Sequence, residues 1–378
     1  MAAEDLPEPD RIEGAPHPRE TRHVFGHAIA EQEFLRAFTS GRLHHGWLIT
    51  GPKGVGKATL AWRIARFLLT AHDDSDGGGL FGAPPPPETL DSDPEHPVIR
   101  RLAQLAEPRL FLLRRGANDK ETALSADIRV DEVRKMKSFF ALSAADGGRR
   151  VAIIDAADEM NTGAANALLK LLEEPPANVT FLVIAHQPHR LLPTIRSRCR
   201  ELRLAPLAAD PLAQALDQAG GAVEPDQTQA LAELAGGSVG EAFRLTNLDG
   251  LKTYAALIAL FSSLPRMDRG RALQLAELGA GKGQEERFDL IVTLMDLFLA
   301  RLSRAGVTRQ LPPEAAPGEG ELFAKLAPHA DAARAWADLA QRLSLRARRG
   351  KAVNLDPAAL LMDSFLKIDE TAGSLAIR

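Results

Sequence analysis

Nine consecutive residues carry the clearest chemistry in the sequence: Gly51-Pro52-Lys53-Gly54-Val55-Gly56-Lys57-Ala58-Thr59. Closely spaced glycines let the backbone curl until successive N–H groups point inward at the oxygens of a phosphate. A helix that begins where such a loop ends adds partial positive charge, and a lysine in the place of Lys57 reaches the outer phosphates. The flanks are those this chemistry requires: the apolar run Trp47-Leu48-Ile49 before the loop and a helical pattern over 60–69 after it. The strict pattern places Ser or Thr directly after the lysine, because that hydroxyl ligates magnesium. Here Ala58 stands there. The loop therefore reads as able to hold a nucleotide such as ATP or ADP, while lacking one of the parts used to hydrolyse it. A nucleotide site also needs a carboxylate at the end of a neighbouring buried strand. Asp155, which closes the apolar run 151–154, fits that place, and its alternative is a helix N-cap or turn residue.

Such residues need buried strands to hold them. Short apolar runs at 47–49, 110–113, 151–154 and 179–184 predict strands covered on both faces, with an edge strand at 201–204. Helical patterns fall between them at 24–38, 130–140, 161–174 and 191–198, the third ended by Pro175-Pro176. This alternation predicts an α/β domain over 23–204, an open parallel sheet with flanking helices. After Pro206 the strand patterns stop. Three short helices at 212–216, 228–235 and 239–245 predict a small helical lid over 205–249. Longer ones at 254–264, 269–278, 285–304, 322–345 and 355–366 predict an all-α domain over 250–378, with a proline- and glycine-bearing connector at 311–320. Residues 1–22 read as a disordered tail, and 71–98, rich in Asp, Gly and Pro, as a surface insertion.

The most specific signal is the segment 183–199, Val-Ile-Ala-His-Gln-Pro-His-Arg-Leu-Leu-Pro-Thr-Ile-Arg-Ser-Arg-Cys. It closely resembles the bacterial DNA polymerase clamp loaders, whose signature includes the triplet Ser197-Arg198-Cys199. The stretches 43–49 and 166–176 resemble the same family, so that the likeness covers about 24–204, the AAA+ type of nucleotide-binding domain. Lys351-Ala352-Val353-Asn354-Leu355-Asp356 resembles the start of the last helix of the family's collar domain. The resemblance implies that Arg198 acts as an arginine finger in trans, reaching the γ-phosphate of a neighbouring subunit's ATP. A guanidinium suits that task because it is a planar, permanently charged fork of donors. By itself Arg198 reads as a surface arginine in a salt bridge. Cys199 reads as packing, since no base partner can be placed beside it.

Departures from the family pattern narrow the reading. Ala58 replaces the magnesium hydroxyl. Ala156 replaces the glutamate that polarises water in ATP-hydrolysing relatives, Ala185 replaces a γ-phosphate-sensing threonine, and Gly240, in Gly237-Ser238-Val239-Gly240, replaces an arginine of the motor subunits. Four losses with Arg198 kept imply a non-hydrolysing structural subunit of the replicative clamp loader, within the DNA polymerase III holoenzyme. The implied partners are the motor (gamma/tau) and delta subunits and, through the assembled complex, the sliding clamp and primer-template DNA. Some relatives carry a four-cysteine zinc module after the first helix; with Cys199 as the single cysteine, no zinc or other metal is expected. Collar assembly is expected through helical faces such as Ile291, Leu294, Met295, Phe298 and Leu299, whose alternative is the chain's own core.

Composition sets the outer limits. The chain has 378 residues, 45% apolar and 25% charged, with a formal net charge of −4. That is an ordinary globular composition and argues against the whole chain acting as a nonspecific polyanion binder. One cysteine fits a reducing compartment, no apolar run is long enough for a membrane span, and the acidic start is unlike a signal peptide; a cytoplasmic protein is expected. Two other readings compete. An autonomous AAA+ ATPase or motor-type subunit would need Thr59 to replace the missing hydroxyl and Asp158 or Glu159 to act as base. A DNA-contacting module would use the cluster Arg342, Arg346, Arg348, Arg349 and Lys351, which otherwise reads as a solvated helix end. The neighbouring His44 and His45 read as packing and loop contacts.

Overall fold

Five short strands, each buried along its length or at its ends except the last, build one sheet: β1 (Gly46–Thr50), β2 (Leu110–Leu113), β3 (Arg150–Ile154), β4 (Val179–Ala185) and β5 (Arg200–Arg203). The computed structural model describes residues 8–12, 14–71, 86–118, 120, 122–142, 148–281 and 283–376. The strand order is β2-β3-β4-β1-β5, and every pairing is parallel. Chain contacts divide the molecule into two units, Met1–Gly221 with Ser238–Gly240, and Ala222–Gly237 with Glu241–Arg378.

In the first unit the alternation of side chains along each strand feeds two cores, one per face. Trp47, Ile49, Val151, Ile153, Leu182 and Ile184 point to the face covered by α1 (Ala28–Thr39), α2 (Lys57–Thr70) and α3 (Pro97–Ala103), and meet Phe34, Leu60, Trp62 and Leu102 there. Leu48, Ala152, Ile154, Phe181 and Val183 point to the other face and meet Val133 and Met136 of α4 (Val130–Leu142), Leu168 of α5 (Thr162–Glu173) and Ile195 of α6 (Pro193–Arg196). Two apolar faces explain why these strands read as continuous apolar runs. Strand β5 lies at the edge, with Leu202 its buried residue. A further helix, α7 (Ala209–Gln218), completes the unit.

Two expectations for this unit are corrected. The helix expected over 191–198 is the four-residue α6, preceded by a single tight turn at Pro188–Arg190. Pro193 lacks an N–H and so can stand only in the first turn of a helix. The tail is also not structureless over its described part. Arg63 and Arg66 lie on the buried side of α2, where unpaired guanidinium groups would be costly. The carbonyls of Arg19, Thr21 and Arg22 accept from them at 3.0, 2.6 and 2.9 Å, and so fix the segment along the helix. Residues 1–7 and 72–85 of the expected tail and insertion lie outside the described residues. Of the rest of the insertion, Leu90 is buried and Asp91 pairs with Arg63.

The second unit is helical: α8 (Thr228–Ala235), most of α9 (Val239–Asn247), then α10 (Gly250–Phe261), α11 (Arg269–Leu278), α12 (Glu285–Thr308), α13 (Glu319–Leu326), α14 (Ala330–Ala352) and α15 (Pro357–Ala376). The single helix expected over 322–345 is broken between α13 and α14. Pro328 stands in the break, and His329 restarts the chain by accepting from the Ala332 N–H through Nδ1 at 3.2 Å. Phe298 of α12 is the hub of an aromatic core, with ring centroids 4.8 Å from Phe261 and 5.7 Å from Phe323. Ile291, Leu294, Met295, Phe298 and Leu299 are all buried there. They are the chain's own core, and the expectation that they form an assembly face is corrected. No helix among the described residues is long and apolar enough to cross a membrane.

Candidate nucleotide and arginine-finger sites

The phosphate loop leaves the carboxyl end of β1 and runs into α2. Gly51, Gly54 and Gly56 take φ values of 144°, 79° and 101°, a backbone that other residues rarely adopt. A side chain at Gly51 would also run into the Leu204 carbonyl, and one at Gly54 into the Ser238 hydroxyl. Pro52 and Lys53 are exposed at the tip, Val55 is buried, and Ala58 and Thr59 sit half-buried in the first turn of α2. The loop is held from outside by His27, whose Nε2 donates to the Val55 carbonyl at 2.7 Å, and by the Val239 N–H, which donates to the Gly54 carbonyl at 2.9 Å. Burial pushes the His27 pKa down, so the neutral ring is the natural state for this contact.

Lys57 is 3% exposed, and its ammonium folds over its own loop, donating to the Gly51 and Pro52 carbonyls at 2.7 and 2.5 Å. Burial lowers its pKa to about 8, against the opposing pull of Asp155 and Asp158. Asp155 stands just past β3, its N–H bonded to the Leu113 carbonyl at 2.9 Å. Burial, with the charges of Asp10 and Glu159, raises its pKa to about 7, and Lys57 pulls the other way. The structure thus brings Lys57 and Asp155 to one locus.

The two carboxylates that an autonomous ATPase would need as a base are occupied otherwise. Asp158 accepts the N–H groups of His186 and Gln187 at 2.9 and 3.2 Å, which ties the end of β4 to the turn after β3. Glu159 pairs with Arg115 at 2.8 Å. Ala156 and Ala185 are buried. At Gly240 an added Cβ would stand 2.8 Å from Ile12 Cδ1 and 3.8 Å from Gly54 Cα, so this position faces the loop although it carries no side chain.

Arg198 lies elsewhere. It follows α6 and precedes β5, beside the start of β1: a Cβ at Gly46 would be 3.2 Å from the Arg198 carbonyl and 3.1 Å from Cys199 Sγ. The loop leaves the opposite end of β1, and at about 3.3 Å per residue the two ends are separated by roughly 15 Å. The guanidinium pairs with Glu173 at 2.9 Å and donates to the Thr194 carbonyl at 3.0 Å, with about a third of the side chain open to water. The Cys199 thiol is half-buried and burial pushes its pKa up to about 12, in keeping with packing. His44 and His45 stack on each other at 4.4 Å and bond Gly46 and the Leu172 carbonyl.

Residues 26–208 match the family described as DNA polymerase III, delta subunit. The chain is 35% identical over 221 residues to the DNA polymerase III subunit delta' of Pseudomonas aeruginosa, an alignment covering 58% of this chain and 60% of that protein. With the Escherichia coli subunit delta' it is 29% identical over 343 residues, 89% of this chain and 92% of its relative. The chain is thus similar to DNA polymerase III subunits delta'. It is also 28% identical over 281 residues to the tau subunit of Salmonella typhimurium, covering 71% of this chain and 40% of that longer protein. Its first unit is a five-stranded parallel sheet covered by helices on both faces, with the phosphate loop at the carboxyl end of β1.

The structure also has site features that reading the sequence missed. His27 and His186 are unremarkable by type and spacing, yet one holds the loop, and burial, joined by the nearby Lys57 charge, lowers the pKa of the other to about 4. Asp10 falls within the expected tail. The one hint available in the sequence is the alternation of acidic and basic residues from Glu8 to Arg22 in a segment otherwise poor in apolar residues.

Proposed function

We propose that the chain is a non-hydrolysing structural subunit of a replicative clamp loader. In this reading it supplies Arg198 to the ATP site of an adjoining motor subunit while the sliding clamp is loaded on primed DNA. The observation that carries the reading is that Arg198 and the chain's own phosphate loop lie at opposite ends of β1. A guanidinium placed there serves another chain's nucleotide, because it cannot reach its own. Its present partners suit that role. An exposed pair such as Arg198–Glu173 is worth at most about 1 kcal/mol, so exchange for a phosphate oxygen costs little.

The phosphate loop, in the same reading, holds ATP or ADP without turning it over. Lys57 and the loop N–H groups would bind phosphate, and Asp155 would face a nucleotide-borne magnesium ion. The missing side chains at Ala58, Ala156, Ala185 and Gly240 remove the metal hydroxyl, the water-polarising acid and the γ-phosphate contacts. The engagement of Asp158 and Glu159 counts against an autonomous ATPase. The basic cluster of α14 fits a solvated helix end, with Arg346 and Lys351 paired to Asp363 and Asp289 at 2.5 Å and Arg348 4.0 Å from Asp296.

The test is the DNA- and clamp-stimulated ATP turnover of a loader reconstituted with this chain, compared with Arg198→Ala. Assembly of both is checked by gel filtration. A fall of roughly 10³-fold or more at the affected site is expected for loss of a finger. Unchanged turnover in an assembled loader would reduce Arg198 to a structural residue.

A further inference from the structure

The described residues before α1 do more than lie along α2. Asp10 accepts from Arg114 Nη1 at 2.5 Å and stands 3.1 Å from His17 Nε2, with the carboxylate and imidazole almost wholly out of water. Arg114 directly follows β2, at the same carboxyl end of the sheet as Asp155 and the phosphate loop. The Asp10 carboxylate is close enough to Asp155 to disfavour its ionisation. Two residues on, Ile12 rests against Gly240, which in turn lies against Gly54 of the loop. Ala15 is buried, His17 meets the Trp62 ring of α2 edge-on at 5.9 Å, and Arg66 secures the carbonyls of Arg19 and Thr21. The segment therefore passes from the end of β2, past Asp155 and the loop, to the back of α2.

We propose that this segment is a strap that closes the phosphate loop against nucleotide, clasped by Asp10 on Arg114 and His17 and seated through Ile12 on Gly240. The inference rests on the reading of the loop as a nucleotide site. Phosphates entering beside Lys57 bring negative charge toward Asp10, which already crowds Asp155. Like charges in a poorly solvated site repel strongly. The apparent affinity for nucleotide is then the intrinsic affinity scaled by the fraction of chains with the strap open. Occupancy is governed by this chain's own amino-terminal segment, and any partner that draws the strap away would load the site.

The experiment measures binding of a fluorescent ADP derivative with magnesium to the full chain, to Asp10→Asn, and to a chain lacking residues 2–14, which has no clasp at all. Trypsin cleavage after Arg11 reports strap release in the full-length proteins independently of nucleotide. Lys57→Ala is added to each background, and thermal denaturation checks folding. Loss of a charged, buried hydrogen bond predicts binding roughly tenfold to a hundredfold tighter in Asp10→Asn, with faster cleavage, and at least as tight in the deletion. Equal or weaker binding in the deletion, still abolished by Lys57→Ala, would overturn the strap and leave the nucleotide site standing. Absence of binding in every background would overturn both.

Discussion

Replacing Asp155 by Asn should stabilise the chain at neutral and alkaline pH while weakening any magnesium-nucleotide complex. A carboxyl carried from its ordinary value of 3.8 to about 7 is about 4 kcal/mol worse off ionised here than in water. The causes are burial first, then the repulsion of Asp10 and Glu159, only partly offset by Lys57. Because the folded pKa is the higher one, the protonated acid binds its proton more tightly in the folded chain. Its contribution to stability is fully present below about pH 4 and is lost as pH rises to about 7. The amide of Asp155→Asn would resemble the neutral acid at every pH. The variant and the natural chain should therefore unfold together near pH 4 and separate by roughly 2–4 kcal/mol at pH 8, a rise in Tm of roughly 4–12 °C. Thermal unfolding followed at intervals from pH 4 to pH 9 is the assay. A variant that is less stable than the natural chain at pH 8 would refute the reasoning, for it would mean that the ionised carboxylate is held by favourable contacts.

Other outcomes follow from the same geometry. Glu319 is 1% exposed and accepts from Tyr254 Oη at 2.5 Å, Arg301 Nε at 2.9 Å and the Ala315 N–H at 2.7 Å. Glu319→Ala leaves the Tyr254 hydroxyl and the Ala315 N–H without their acceptor and Arg301 with only Glu233 at 2.9 Å and the Pro313 carbonyl at 2.6 Å, and should cost roughly 1–3 kcal/mol, read as earlier hydrogen exchange in α12 and α13. Cys199, its pKa pushed up to about 12 by burial, should resist a thiol reagent at pH 8 and react at the ordinary rate once the chain is denatured. Rapid reaction in the folded chain would show a thiol exposed and acidic enough to act as more than packing.

Local sequence was enough for those parts that depend on local physics. The glycines at 51, 54 and 56, the lysine that follows them and the apolar strands on either side imply a phosphate loop because backbone freedom and strand burial are properties of a few neighbouring residues. The strands were legible for the same reason: both faces of the sheet are covered, so each run is apolar at every position. Helix ends were less legible. Pro193 and Pro328 each shortened or split a predicted helix, since an apolar period continues across a proline but the hydrogen-bond ladder does not.

Tertiary structure decided what depends on distant partners. Residues 8–22 look structureless because their own apolar content is low; the part from Arg19 to Arg22 is held by carbonyls that satisfy Arg63 and Arg66, some forty-odd residues away. Ile291, Leu294, Met295, Phe298 and Leu299 form an apolar stripe either way, and only the packing of the other helices shows that it is filled from within the chain. By itself Arg198 reads as a surface arginine, and only the resemblance carried by the segment 183–199 implied a phosphate ligand. That it sits a full strand length from its own loop follows from the parallel pairing of β1 with β5, in which both strands run the same way and the residues before β5 lie beside the start of β1. Residue identity thus set the available chemistry, and strand direction decided that Arg198 and the chain's own phosphate loop stand at opposite ends of β1.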